Sequence, residues 1–117
     1  MTPATLLVIE DDAAIRRFVR LALEEQGHRV HEADTLARGL VEAGARQPDL
    51  LILDLGLPDG DGIELLHALR LQDKTPVLVL TARDQEEEKI RLLEAGANDY
   101  LSKPFGIREL IVRIKVL

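Results

Sequence analysis

The chain contains no cysteine and no tryptophan among its 117 residues. Without thiols there can be no disulfide framework, no thiol nucleophile and no thiolate metal site. Aromatic residues make up only 3% of the sequence, too few to stack the bases of single-stranded nucleic acid or to hold a flavin between rings. An excess of positive charge is also missing: 15 Lys and Arg stand against 21 Asp and Glu, a net charge of -6. That is the wrong sign for a segment that grips phosphate backbones unaided. Nor is there a basic-then-apolar leader or an apolar run long enough to span a bilayer. We therefore expect a soluble, cytoplasmic chain with no membrane association, and a single domain over residues 1–117 with room for a packed core.

What the sequence does contain is a regular alternation. The apolar runs Leu6-Leu7-Val8-Ile9, Leu50-Leu51-Ile52-Leu53 and Val77-Leu78-Val79-Leu80 do not alternate with polar residues, as expected of parallel strands covered on both faces. Weaker strand signals lie at Arg29–Ala33 and around Asp99–Leu101. Between them run helical stripes: Ile15, Phe18, Val19, Ala22 and Leu23; Leu36, Leu40 and Ala43; Ile63, Leu66 and Leu69; Ile90 and Leu93; and Ile107, Leu110, Ile111, Ile114 and Leu117. Gly27, then Gly44 with Pro48, and then Gly96 read as helix stops, and Asp34 as a cap for the second helix. Five such units predict an α/β doubly wound parallel sheet with five helices, because parallel strands need right-handed crossovers that cover both faces. The last stripe is still periodic at Leu117, which suggests a domain taken from a longer protein.

In doubly wound sheets the ligand site lies outside the carboxyl ends of the strands. Here those ends carry Glu10-Asp11-Asp12, Asp54, Thr81 and Lys103-Pro104. Grouped carboxylates repel unless a cation neutralises them, which implies a divalent, oxygen-seeking ion. Magnesium fits best, since it takes a few carboxylates, keeps waters and works beside phosphate. A carboxylate can itself be the nucleophile that forms an aspartyl phosphate, given a metal and a fixed cation. Asp54, the metal and Lys103 meet those needs, and Thr81 could hydrogen-bond a phosphoryl oxygen.

Taken singly, each residue has a plainer reading. Asp54 could be a turn former, Lys103 a surface lysine and Thr81 a helix cap. Asp12 stands where a helix cap is needed, and Asp59 and Asp61 read as loop and cap residues. The three histidines, His28, His31 and His67, read as surface or half-buried residues away from the cleft. The joint occurrence at four strand ends is what favours chemistry.

At this point the residues resemble the receiver family of two-component response regulators. Its pattern is an acidic pair after the first strand, a phosphoacceptor Asp after the third, Ser or Thr after the fourth, and Lys-Pro after the fifth. Glu10-Asp11, Asp54, Thr81 and Lys103-Pro104 match it, as do the segments Asp54-Leu55-Gly56-Leu57-Pro58-Asp59-Gly60-Asp61-Gly62 and Asp99-Tyr100-Leu101-Ser102-Lys103-Pro104-Phe105. The resemblance implies a flavodoxin-like (CheY-like) sheet of order 2-1-3-4-5. It implies that Glu10, Asp11, Asp54 and the carbonyl of Gly56 hold Mg2+, that Lys103 contacts the phosphoryl group, that Lys103-Pro104 is cis, and that Tyr100 is a rotamer switch coupled to Thr81. The expected protein is a phosphoacceptor switch and not a conventional enzyme.

Within that family the chain is similar to the OmpR/PhoB branch, whose receivers pair through the fourth helix, fifth strand and fifth helix. Lys89, Asp99, Glu109 and Arg113 match its inter-subunit ion pairs, Lys89 with Glu109 and Asp99 with Arg113, while Asn98 departs from the Asp frequent there. These charges could equally be solvated helix faces. The resemblance implies a sensor histidine kinase as partner, a homodimer on phosphorylation, and DNA contact only through a C-terminal domain absent from this chain. Two alternatives stay open: a receiver-fold interaction module that is never phosphorylated, and an aspartyl-phosphate phosphohydrolase of the haloacid dehalogenase type. The latter usually has a second Asp two residues after the nucleophile, where Gly56 stands here.

Overall fold

The computed structural model describes residues 3–72, 74–83 and 85–117. Strand β1 (Thr5–Ile9) leads into α1 (Ala13–Glu25), then β2 (Arg29–Ala33), α2 (Leu36–Arg46) and β3 (Leu50–Asp54). A two-residue ladder, β4 (Gly56–Leu57) against β5 (Gly60–Asp61), precedes α3 (Gly62–Arg70). The chain closes with β6 (Val77–Thr81), α4 (Glu86–Glu94), β7 (Asp99–Ser102) and α5 (Ile107–Lys115). The main sheet is parallel with order β2-β1-β3-β6-β7. With the small ladder set aside, this is the 2-1-3-4-5 order expected from the sequence.

The unbroken apolar runs serve two cores at once, because successive side chains of a strand point to opposite faces. Leu7, Ile9, Leu51, Leu53, Val77 and Val79 pack with Leu65, Leu66 and Leu92 on the face covered by α2, α3 and α4. Leu6, Val8, Leu50, Ile52, Leu78 and Leu80 pack with Val19, Leu23, Leu110 and Ile114 on the face covered by α1 and α5. Each fully buried aliphatic side chain contributes about 1.5–3 kcal/mol of transfer free energy. The resulting slab holds the strand ends in a fixed row.

Helix starts follow short acceptors. Asp12 caps α1 by accepting from the Ala14 and Ile15 amides at 2.9 and 3.1 Å, and Asp61 caps α3 through the Ile63 amide at 3.1 Å. Three glutamates, Glu86, Glu87 and Glu88, open α4, where negative charge complements the helix dipole.

The second helix departs from the sequence reading. Its cap is Thr35, not Asp34, with Thr35 Oγ1 accepting from the Arg38 amide at 3.1 Å. Asp59, from the loop after β4, accepts from the Leu36 and Ala37 amides at 2.7 and 3.0 Å. Gly44 does not stop the helix. It lies inside α2, which runs to Arg46 and ends on Gln47 in the left-handed conformation, φ 46°. Gly27 and Gly96, with φ of 90° and 108°, do end α1 and α4 as expected. The stripe of α4 is also displaced: Leu92 is buried, while Ile90 and Leu93 are exposed. Leu40 of α2 is likewise exposed.

Candidate functional site

Parallel register brings the candidate residues to one end of the sheet. Asp54 is the last residue of β3 and pairs with Leu80 of β6, so Thr81, the next residue, stands just beyond it. Glu10 follows β1, its amide donating to the Ala33 carbonyl at 3.0 Å. Lys103 follows β7, its amide donating to the Thr81 carbonyl at 2.8 Å, and the Lys103-Pro104 bond is cis. The backbone behind Asp54 is set by a close approach: a Cβ on Gly62 would lie 2.7 Å from the Asp54 carbonyl oxygen and 3.0 Å from Leu55 Cα. No side chain fits there.

Glu10, Asp54 and Thr81 are buried, at 0%, 5% and 1% exposure. Lys103 Nζ bridges the two acids, donating to Glu10 Oε1 at 2.8 Å and Asp54 Oδ1 at 3.0 Å. Asp11 is exposed, yet it can place a carboxylate oxygen within 4.8 Å of oxygens from Glu10 and Asp54. The cleft around them has a volume of about 300 Å³, and Gly56 and Arg83 also line it. The Thr81 hydroxyl accepts from the Arg83 amide at 2.8 Å, which leaves its own proton free to donate into the cleft.

Comparison with known proteins settles the family at this point. The response regulator receiver domain model matches residues 6–115. The chain belongs to that family. It is 62% identical over 111 residues to the KDP operon transcriptional regulatory protein KdpE of Escherichia coli strain K12, covering 95% of this chain and 49% of that protein. It is 40% identical over 113 residues to the transcriptional regulatory protein PhoP of the same strain, covering 96% of this chain and 51% of that protein. PhoP is of the OmpR/PhoB branch, so the resemblance seen in the sequence extends to the branch. Among solved structures, the Francisella response regulator 1452 receiver domain superimposes with a TM-score of 0.92 at 38% identity, covering 97% of this chain and 94% of that one. The chain spans about half the length of the curated relatives it matches.

The electrostatics of this receiver cleft are out of balance. Three carboxylates face one ammonium. Burial pushes the Glu10 carboxyl up; the Lys103 hydrogen bond pulls it back, and neighbouring Asp54 pushes again, leaving it at about 7. Lys103 is pulled down by burial, but its hydrogen bonds and charge contacts with both acids outweigh that and hold it above its usual value. Burial is the main cause of the rise, and the ammonium at 2.8 Å offsets only part of it. The donor set, carboxylate oxygens at the mouth of a polar cleft, suits a hard divalent cation, in keeping with the acidic Mg2+ pocket of receiver domains.

The other sequence-derived residues divide. On the face of α4, β7 and α5, Arg113 Nη1 donates to Asp99 at 2.9–3.0 Å and Arg113 Nη2 to Glu109 at 3.2 Å, all within one chain. Lys89 Nζ lies 5.2 Å from the centroid of the half-buried Tyr100 ring. Asn98 is exposed, its Oδ1 accepting from Val77 N at 2.9 Å and Arg70 Nη2 at 3.1 Å. His28 is not a surface residue: it is buried, and its Nδ1 accepts from the Ala4 amide at 3.1 Å. The sequence reading missed Arg83, which lines the cleft and whose Nη1 donates to Asp61 Oδ2 at 3.0 Å. Its position two residues after Thr81 was the available signal.

Proposed function

We propose that this chain is a phosphoacceptor switch in which Asp54 takes a phosphoryl group from the phosphohistidine of a sensor histidine kinase. Supporting this reading above all is the buried Asp54 carboxylate, held by Lys103 at 3.0 Å inside the acidic cluster of Glu10 and Asp11. The Asp54 carboxylate oxygen attacks phosphorus, the P–N bond to the histidine breaks, and the released imidazole nitrogen takes up a proton. Glu10, Asp11, Asp54 and the Gly56 carbonyl would hold the Mg2+. Bound there, the ion would offset charge on the transferring oxygens. Lys103 moves from its carboxylate partners to the phosphoryl oxygens, and Thr81 donates to one of them. The product adds roughly 1.5 to 2 negative charges, drawing Thr81 inward and giving Tyr100 room to turn. Slow attack by water on the acyl phosphate resets Asp54.

The output follows from the same change. Packing about Tyr100 shifts the face of α4, β7 and α5 toward a homodimer, with Lys89 pairing with Glu109 and Asp99 with Arg113 across the interface. Residues 1–117 would be the receiver half of a transcription regulator. Its DNA contacts would come from a C-terminal domain, its kinase would be KdpD-like, and its targets would be potassium-transport genes, by analogy with KdpE. Function is expected in the cytoplasm.

Intact mass after incubation with magnesium and acetyl phosphate tests this, with Asp54→Asn beside wild type. We expect a single phosphoryl adduct on wild type alone, lost when the metal is chelated. An equal adduct on Asp54→Asn would place the acceptor elsewhere. No adduct on wild type, together with no beryllofluoride binding, would leave an interaction module.

A further inference from the structure

Lys103 and Arg83 are the cations that line the cleft among the described residues, and only Lys103 contacts its carboxylates. Arg83 is turned aside. Its Nη1 sits 3.0 Å from Asp61 Oδ2 and 3.8 Å from Glu88 Oε2. Asp61 is half-exposed and belongs to β5, whose partner in the ladder is Gly56, two residues beyond Asp54. Glu88 lies in the first turn of α4. The Glu88 Oε2 atom is buried and has no hydrogen-bond partner, so neither acid holds Arg83 in a complete, buried pair. The backbone amide of Arg83, by contrast, is fixed to the Thr81 hydroxyl at 2.8 Å. The residue is thus anchored at the cleft by its main chain and tethered only weakly by its side chain, since exposed ion pairs contribute little.

We propose that Arg83 is a reserve phosphoryl-contacting residue, held off the cleft by Asp61 and transferred to the phosphorylated side chain of Asp54. This rests on the phosphoacceptor reading above. The chemistry favours the exchange. A phosphoryl group carries more charge than one carboxylate and offers oxygens in the geometry that a guanidinium matches with two parallel hydrogen bonds. Lys103 alone is already divided between Glu10 and Asp54. Departure of Arg83 also removes a cation 3.8 Å from the Glu88 Oε2 atom, leaving that carboxylate to Arg91, which holds its Oε1 at 3.1 Å. The first turn of α4 thereby senses the exchange, which links the cleft to the α4 face by a route separate from Tyr100. Asp61 sets the threshold.

The test is a beryllofluoride titration of the 117-residue chain in saturating magnesium, read by fluorine NMR, for wild type, Arg83→Gln, Asp61→Asn and the double variant. Asparagine caps helices as well as aspartate does, so Asp61→Asn keeps the start of α3. Arg83→Gln is expected to weaken beryllofluoride binding about threefold or more, and Asp61→Asn to strengthen it about threefold. The gain from Asp61→Asn should vanish in the double variant, because it depends on a freed Arg83. Equal affinities throughout, or the same gain from Asp61→Asn with and without Arg83, would overturn the reserve role while leaving Asp54 as acceptor. Absence of binding by wild type would remove the phosphoacceptor reading and this inference together.

Discussion

The two ends of the same sheet make an instructive pair. At the amino end a pocket of about 510 Å³ is lined by Ala4, Thr5, His28, Arg29 and Asp49. At the carboxyl end the cleft of Glu10, Asp54 and Lys103 measures only about 300 Å³. Both contain acid and base. At the amino end, however, the acid and the imidazole are matched by backbone: Asp49 Oδ2 accepts from the Thr5 amide at 2.8 Å, and His28 Nδ1 from the Ala4 amide at 3.1 Å. At the carboxyl end the charges answer mainly to one another, and the sum does not close. Size does not mark the candidate site. Uncompensated charge does.

The largest expected effect comes from breaking the carboxyl end without touching its charges. Gly62→Ala forces a methyl group against the Asp54 carbonyl and Leu55 and should cost about 2–3 kcal/mol, together with phosphoryl acceptance. Gly44→Ala, at a helical position with open space around it, should instead stabilise by about 0.5–1 kcal/mol. Urea denaturation of both variants compares them; a neutral Gly62→Ala would mean that the backbone behind Asp54 is not held as described.

Next comes pH, where the two ends should pull in opposite directions in the metal-free protein. Glu10 sits at about 7 when folded against 4.5 for the ordinary carboxyl. The folded state therefore holds the extra proton between those values, and stability falls as pH rises through them. His28 is lowered by burial. The unfolded chain then holds the extra proton just below 6.5, so stability falls as pH drops through that region. Denaturation midpoints across pH should lose the first slope in Glu10→Gln and the second in His28→Gln. If Glu10→Gln leaves the profile unchanged, burial does not raise the Glu10 carboxyl as described.

The smallest effect sharpens the contrast from the amino end. Asn98→Asp places a carboxylate where Oδ1 already accepts from Arg70 and Val77. A charged partner for Arg70 should add about 0.5 kcal/mol with no change in magnesium affinity. A gain in magnesium binding there would undercut the separation of the two ends.

How much of this was legible in the sequence follows from what local pattern can carry. The runs at Leu6, Leu50 and Val77 gave strands because burial on both faces leaves no polar position, and their ends located Glu10, Asp54 and Thr81. The cap of α2 was misread because half of it comes from Asp59, more than 20 residues away. Gly44 looked like a stop, yet the helix continues because nothing crowds it and Gln47 takes the left-handed turn. The α4 stripe misled because Ile90 and Leu93 are apolar without being core. Arg83 and Asp61 acquire meaning only when the β6–α4 loop and the β4–β5 ladder meet beside the cleft. Periodicity reports burial; it does not report which distant polar groups find each other.

That uncompensated carboxylates, and not the larger pocket, hold the ion is tested most directly by calorimetric titration of the metal-free chain with magnesium, for wild type beside Asp11→Asn and Asp49→Asn. One ion per chain is expected for wild type and Asp49→Asn, with binding strongly weakened in Asp11→Asn. Undiminished binding by Asp11→Asn, or its loss in Asp49→Asn, would contradict the assignment of the cation site to the carboxyl end.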